Sequence, residues 1–311
     1  MAPDWDWLTE TGIRFWRHQF TRAMAQRDMA QGRAILDSLL TTTDDVYAVT
    51  TQRSEGGIWV TPDHIETDRV LLYLHGGGYT FGGPVNERFA EMFAHHTGAR
   101  LYMPRYRLTP EHPHPAQAED ALAAWHHLRA THAAAQIVPI GDSAGGHMAL
   151  TLLQSLRAIS APQPALCIAL CPWTDIGARG ASLRENDRYD LVQGWMALQF
   201  GTWLDNGAGR AALSPILANY AGCAPIYLQA GGREVLRDMI VDFADVQAQN
   251  GADLMLDIWD DMPHNFQAYD SDKASASAAL ARIRAAVLRH PLPPMPERTY
   301  RANGCFAASA N

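Results

Sequence analysis

Apolar and polar positions recur along the chain with two different periods. Up to about residue 40, Trp5, Leu8, Ile13, Trp16 and Phe20 return at close to helical spacing, which predicts helices with Gly32 as the break. Short and almost wholly apolar runs follow at 58–61, 70–74, 101–104, 136–140, 165–170, 226–230 and 254–259. Stretches of helical length and pattern lie between most of them, at 87–96, 116–131, 146–159 and 235–250, and a last one follows at 274–290. Apolar strands alternating with helices predict an α/β fold, a mostly parallel central sheet of about eight strands flanked by helices. Two early strands with no helix between them predict an antiparallel edge.

One segment interrupts this rhythm. Residues 177–214 are first polar, then helical with Trp195, Phe200 and Trp203, and no strand is readable there. An insertion of that length between two strands is usually functional. The predicted organisation is therefore N-terminal helices (1–45), an α/β domain (46–176 and 215–290), the 177–214 insertion and a tail (291–311). Proline and small residues in the tail predict loose order.

Composition narrows the function classes. The chain has 311 residues, 47% of them hydrophobic, enough for a large core. A formal net charge of −8 disfavours nucleic acid and anionic membrane surfaces as partners. The opening residues MAPDWDWLTE carry acids and tryptophans where a secretory signal carries lysines and an apolar run. No apolar run long enough to span a membrane occurs, so a cytoplasmic protein with no membrane insertion is expected. The four cysteines, Cys167, Cys171, Cys223 and Cys305, form no CxxC and read as free thiols.

The chemistry enters at Gly141-Asp142-Ser143-Ala144-Gly145-Gly146, a GxSxG placed after one predicted strand and before a helix. A serine there sits on a tight turn that lifts its hydroxyl above the sheet edge, with helix-terminal amides behind it. GxSxG alone is a weak signal, and its strand–turn–helix setting strengthens it. The run His75-Gly76-Gly77-Gly78-Tyr79 ends another apolar strand. Three glycines there make either a plain tight turn or an oxyanion hole of uncovered backbone N–H groups. His75 itself reads as an anchor for the loop.

In this order of motifs an acid and then a histidine should follow. Gly231-Gly232-Arg233-Glu234-Val235-Leu236-Arg237-Asp238 comes after one late strand, and Met262-Pro263-His264-Asn265-Phe266 after the next. Of thirteen histidines, His264 alone follows a late strand in this way. His147, four residues beyond Ser143 on one helix, points down that helix, away from the hydroxyl.

These motifs, together with Tyr106-Arg107-Leu108-Thr109-Pro110-Glu111-His112-Pro113 and Cys171-Pro172-Trp173-Thr174-Asp175, resemble the landmarks of one family in order. The chain is similar to the hormone-sensitive lipase family of α/β-hydrolases, in its bacterial esterase branch with the GDSAG motif. The resemblance covers roughly residues 50 to 290. It implies Ser143, His264 and an acid as catalytic triad, and Gly77, Gly78 and Ala144 as oxyanion-hole donors. It also implies a helical cap made of the N-terminal helices and the 177–214 insertion. The family's acid is normally an aspartate in D-x-L-x-D. Here that place holds Glu234 in E-V-L-R-D, which is the expected acid; the rival Asp238, four residues on, should lie a turn into the following helix and too far away.

The expected activity is hydrolysis of small, short-chain esters through an acyl-enzyme. An amide, formamide or carbamate substrate uses the same triad, as kynurenine formamidase does. A non-catalytic receptor on this fold loses the histidine, and His264 is present. Trp16, Trp195, Trp203, Tyr79 and Asp142 are candidate substrate contacts, although aromatic residues on helical patterns also serve as core. Trp5, Trp7 and Phe15 share that ambiguity. Asp142, Glu111, Glu119, Asp120 and Asp175 are expected to brace loops. No HExxH, Walker or dinucleotide signature occurs, so no metal and no cofactor are expected. The expected partner is the ester alone, with a homodimer left open.

Overall fold

The computed structural model describes residues 7–39, 47–269, 274–293 and 299–301. The chain enters through α1 (Trp7–Ala25) and α2 (Met29–Leu39). Their break lies at Arg27, whose φ is 56°, and not at Gly32, which sits inside α2. Gly32 is there for close approach: a Cβ would come 2.8 Å from the Phe81 ring.

An antiparallel pair follows, β1 (Val49–Ser54) and β2 (Gly57–Pro62), then β3 (Val70–Leu74), α3 (Pro84–Thr97), β4 (Arg100–Pro104), α4 (Ala116–Arg129), β5 (Ile137–Asp142), α5 (Ala144–Ala158) and β6 (Cys167–Leu170). The insertion carries α6 (Ser182–Glu185), α7 (Gly194–Leu204) and α8 (Arg210–Leu213), and holds no strand. Then come β7 (Ile226–Gly231), α9 (Arg237–Gln249), β8 (Leu254–Trp259), α10 (Phe266–Tyr269), α11 (Ala274–Leu288) and β9 (Thr299–Arg301).

The strands form one sheet in the order β1-β2-β4-β3-β5-β6-β7-β8-β9. From β4 to β8 all neighbours are parallel. An antiparallel edge is present as expected, but β2 pairs with β4 and with the unforeseen β1, and not with β3, the next strand in sequence. The other edge differs from expectation. The tail, predicted loose, contributes β9, which pairs antiparallel with β8 through Met255–Arg301 to Asp257–Thr299. An open backbone edge on β8 offers unpaired groups that even a three-residue segment can satisfy.

The continuous apolar runs arise because helices cover both faces. Along β3, Leu72 and Leu74 join one core with Met148, Leu152 and Phe243 of α5 and α9. Leu71 and Tyr73 join the opposite core with Phe93 and Ile283 of α3 and α11. Because β3, β5, β7 and β8 are parallel, their C-terminal ends share one rim of the sheet, where open α/β sheets place ligands.

Candidate active site

Ser143 occupies the turn between β5 and α5 at φ 54° and ψ −118°. Few non-glycine residues adopt such a backbone, and strain of this kind costs about 1–3 kcal/mol. The surroundings enforce it. The Ser143 N–H donates to Leu170 O at 2.8 Å, and its carbonyl accepts from His147 and Trp173. A Cβ on Gly145 would collide with the Leu74 carbonyl, and one on Gly141 with Gly145. The glycines of the motif are thus sterically required.

At the end of β3, Gly77 (φ 108°) and Gly78 (φ 62°) hold backbone that L side chains rarely adopt. A Cβ on Gly78 would come 2.5 Å from the Phe200 ring. Among the described residues, the N–H groups of Gly77, Gly78 and Ala144 donate to no acceptor. Asp142 steadies this loop: its carboxylate accepts from Gly76 N (2.9 Å), Tyr73 Oη (2.8 Å) and Asn265 Nδ2 (2.7 Å).

His264 Nδ1 lies 2.6 Å from Glu234 Oε2, and the other oxygen, Oε1, accepts the Gly231 N–H at 2.8 Å. Both side chains are essentially without solvent, at 2% and 0% exposure. With Nδ1–H held by the carboxylate, Nε2 is left as the basic nitrogen. It is buried without a hydrogen-bond partner among the described residues, and His264 lines the same cavity as Ser143. Asp238 lies elsewhere, accepting from Ser182 N and Arg237.

That cavity encloses about 100 Å³. Gly76, Gly77, Gly78, Asp142, Ser143, Ala144, His264 and Asn265 line its floor. Trp16 and Phe20 of α1, Ile35 of α2, Phe81, and Leu191, Ala197 and Phe200 of the insertion also line it. An apolar chamber with a few convergent polar groups is the usual form of a small-molecule site.

A family model described as alpha/beta hydrolase fold matches residues 71–268. A solved esterase from the bacterial hormone-sensitive lipase family aligns with a TM-score of 0.84 at 29% identity, over 93% of this chain and 99% of that one. The chain belongs to the hormone-sensitive lipase family of α/β-hydrolases. An acetyl-hydrolase of Streptomyces hygroscopicus is 32% identical over 68% of this chain and 72% of its own length. An ethyl acetate hydrolase of Pseudomonas putida is 29% identical over 71% and 73%. The structure of EstE5 soaked with p-nitrophenyl butyrate aligns with a TM-score of 0.77 at 27% identity, over 84% and 90%. The chain is a carboxylic ester hydrolase.

Several expected contacts of this esterase fall differently in the fold. Trp16 reaches the cavity, whereas Trp195 and Trp203 do not line it. Trp195 is 39% exposed on α7, and Trp203 packs at the edge of the core. The α7 helix turns Phe200 inward, which places residue 195 on another face. Tyr79 is buried behind the glycine loop, bonded at 2.5 Å to His147 Nδ1, and does not touch the cavity. Asp142 does line it, yet its oxygens are taken by the three donors above. Phe15 is exposed; Trp5 and the Trp7 side chain lie outside the described residues, as does Cys305.

Of the acids expected to brace loops, Asp142, Glu119, Asp120 and Asp175 do so, whereas Glu111 is more than half exposed and only approaches Arg33 at 3.8 Å. Asp175 accepts from Arg179, Arg210 and Ser214, tying the insertion to the sheet, and Asp120 and Glu119 hold Arg107. Cys171, Glu234 and His264 place their donor atoms within 4.8 Å of one another, the sole such trio among the described residues. Glu234 and His264 are already bonded to each other, so the trio is occupied internally. No helix among the described residues is long and apolar enough to cross a membrane.

Charge on the imidazole is set by neighbours. Burial opposes charging His264, but Glu234 on Nδ1, with Asp190 and Asp142 beyond, holds its pKa above the usual 6.5. Burial pushes His75 and His147 down to about 4, so both are neutral at pH 7. With His264 as the proposed base, an acidic limb in kcat/KM above pH 6.5 is expected, falling about tenfold per pH unit below it, because only a neutral imidazole accepts a proton. A rate profile on p-nitrophenyl acetate checks this; a midpoint near pH 4 would point to a different base.

Proposed function

We propose that this esterase hydrolyses small, short-chain acyl esters by two-step acyl transfer on a Ser143–His264–Glu234 triad. The observation that carries the reading is the buried His264–Glu234 pair, whose Nε2 has no partner among the described residues and whose imidazole lines the same small cavity as the strained Ser143. His264 takes the Ser143 proton as Oγ attacks the carbonyl carbon. The amides of Gly77, Gly78 and Ala144 receive the oxyanion, acting where charge develops and where water is excluded. The imidazolium returns the proton to the departing alcohol. Water, deprotonated by the same nitrogen, then releases the acid.

The N-terminal helices and the 177–214 insertion act as a cap over this site. Trp16, Phe20 and Phe200 close the chamber, and about 100 Å³ is small beside the roughly 300–1,000 Å³ of drug-sized sites. Relatives named acetyl-hydrolase and ethyl acetate hydrolase agree with that size. The test is a series of p-nitrophenyl acetate, butyrate, octanoate and laurate beside matched anilides and carbamates. Acetate or butyrate should exceed laurate in kcat/KM by on the order of 10–100-fold. Faster cleavage of laurate, or of an anilide, would overturn the assignment.

A further inference from the structure

Asp190 follows the short turn Asp187–Tyr189 of the insertion and is 1% exposed. Nothing in the sequence distinguishes it from other acids of a polar stretch. In the fold its two oxygens reach both loops that carry the His–Glu pair. Oδ2 accepts the Val235 N–H at 2.7 Å, one residue past Glu234, and Oδ1 accepts the N–H of His264 itself at 3.2 Å. No arginine or lysine forms an ion pair with it among the described residues.

A backbone anchor at this point does not need a charge. Asn186, four residues earlier, anchors the same acid loop with a neutral amide, donating to Glu234 O at 2.9 Å. An unpaired carboxylate in a dry site is costly, and burial pushes the Asp190 carboxyl up to about 7 against the pull of His264. Its ionised form is favoured most when the imidazole carries a proton, a condition that arises as Ser143 is deprotonated. A group that gains its partner in the transition state raises kcat more than it tightens substrate binding.

We propose that Asp190 is a positioning residue for the ester hydrolysis, fastening the Glu234 and His264 loops to the insertion and facing the imidazolium with a second negative charge. Through it, the segment that shapes the substrate chamber also sets the base. The charged and titratable groups around this imidazole are Glu234 on β7's loop, Asp142 at the end of β5, Cys171 after β6 and Asp190 from the insertion. The Cys171 thiol is driven up by burial and by Glu234, so it stays neutral through the working range. The acidic limb of wild type belongs to the coupled His264 and Asp190 groups together.

The inference rests on His264 being the base. Asp190→Asn removes the charge and also turns an NH₂ toward either the Val235 or the His264 N–H, so the pH limb, which reports the charge, is read beside kcat; Asn186→Ser removes a neutral anchor of the same loop. Rates are normalised to sites titrated with a fluorophosphonate, and thermal midpoints report folding. Asp190→Asn is expected to lower kcat on p-nitrophenyl acetate about 10-fold or more with KM within about twofold, and to move the acidic limb of kcat/KM down by on the order of one pH unit. Asn186→Ser should leave the limb in place. Limbs that coincide for wild type and Asp190→Asn overturn the inference while the triad stands; wild-type rates that survive Ser143→Ala overturn the triad itself. A second readout needs no substitution. The low-field Nδ1 proton of His264 in wild type should show two titrating steps by NMR, and a single step overturns the proposal.

Discussion

Ser143→Ala is expected to lower kcat on p-nitrophenyl acetate by about 10⁶-fold while the protein stays folded. The size follows from the chemistry: without Oγ no acyl-enzyme forms, and His264 and Glu234 have no nucleophile to activate. The residual rate comes from the oxyanion donors and from binding alone, which in serine hydrolases leaves roughly 10³–10⁴ over water. Folding should survive because the turn is imposed by contacts of Gly141 and Gly145 with neighbouring backbone and by the Ser143 N–H to Leu170 O bond, none of which uses the hydroxyl. Initial rates, with circular dichroism for the fold, decide the matter. Retention of more than about a tenth of the wild-type rate would remove Ser143 from the mechanism.

Glu234→Gln should lower kcat by about 10³–10⁴-fold, and Asp238→Asn by less than about threefold. The Glu234 carboxylate accepts from two donors at once, His264 Nδ1–H and Gly231 N–H. A glutamine has one acceptor oxygen and an NH₂ group, so one of the two donors must face another donor. If the NH₂ meets Nδ1, the imidazole shifts its proton to Nε2 and the base is lost. If it meets Gly231, the turn carrying the acid is left with an unsatisfied buried N–H, a loss of about 1–3 kcal/mol. Asp238 instead braces Ser182 and Arg237. Steady-state kinetics of both variants test the assignment, and the opposite ranking would transfer the role to Asp238.

Much of this site was legible from residue order because each motif carries its own local reason. Gly141 and Gly145 flank a serine whose turn leaves no space for side chains, and a histidine after a late strand lands on the same rim as that serine. The rest depended on contacts that no local pattern encodes. Helical spacing shows that α7 has an apolar face, but the rotation of the helix against Gly78 selects Phe200 over Trp195 and Trp203 for the chamber. Gly32 looks like a helix stop until the Phe81 ring packs against it. Tyr79 follows the glycines directly, yet the turn directs its hydroxyl to His147 behind the loop.

The sequence by itself determined the alternation of strands and helices, the parallel sheet, and the order serine, acid, histidine, because periodicity and glycine sterics act over a few residues. Tertiary structure alone decided which aromatic rings line the chamber, that Thr299–Arg301 completes the sheet edge, and that Asp190 bridges two loops, while it brought the favoured Glu234, and not Asp238, to the imidazole. The acid and the Asp190 bridge turn on hydrogen bonds spanning 30, 45 and 74 residues, and the rings and the last strand on packing and pairing between equally distant segments. Such bonds form only after burial has removed water as the competing partner.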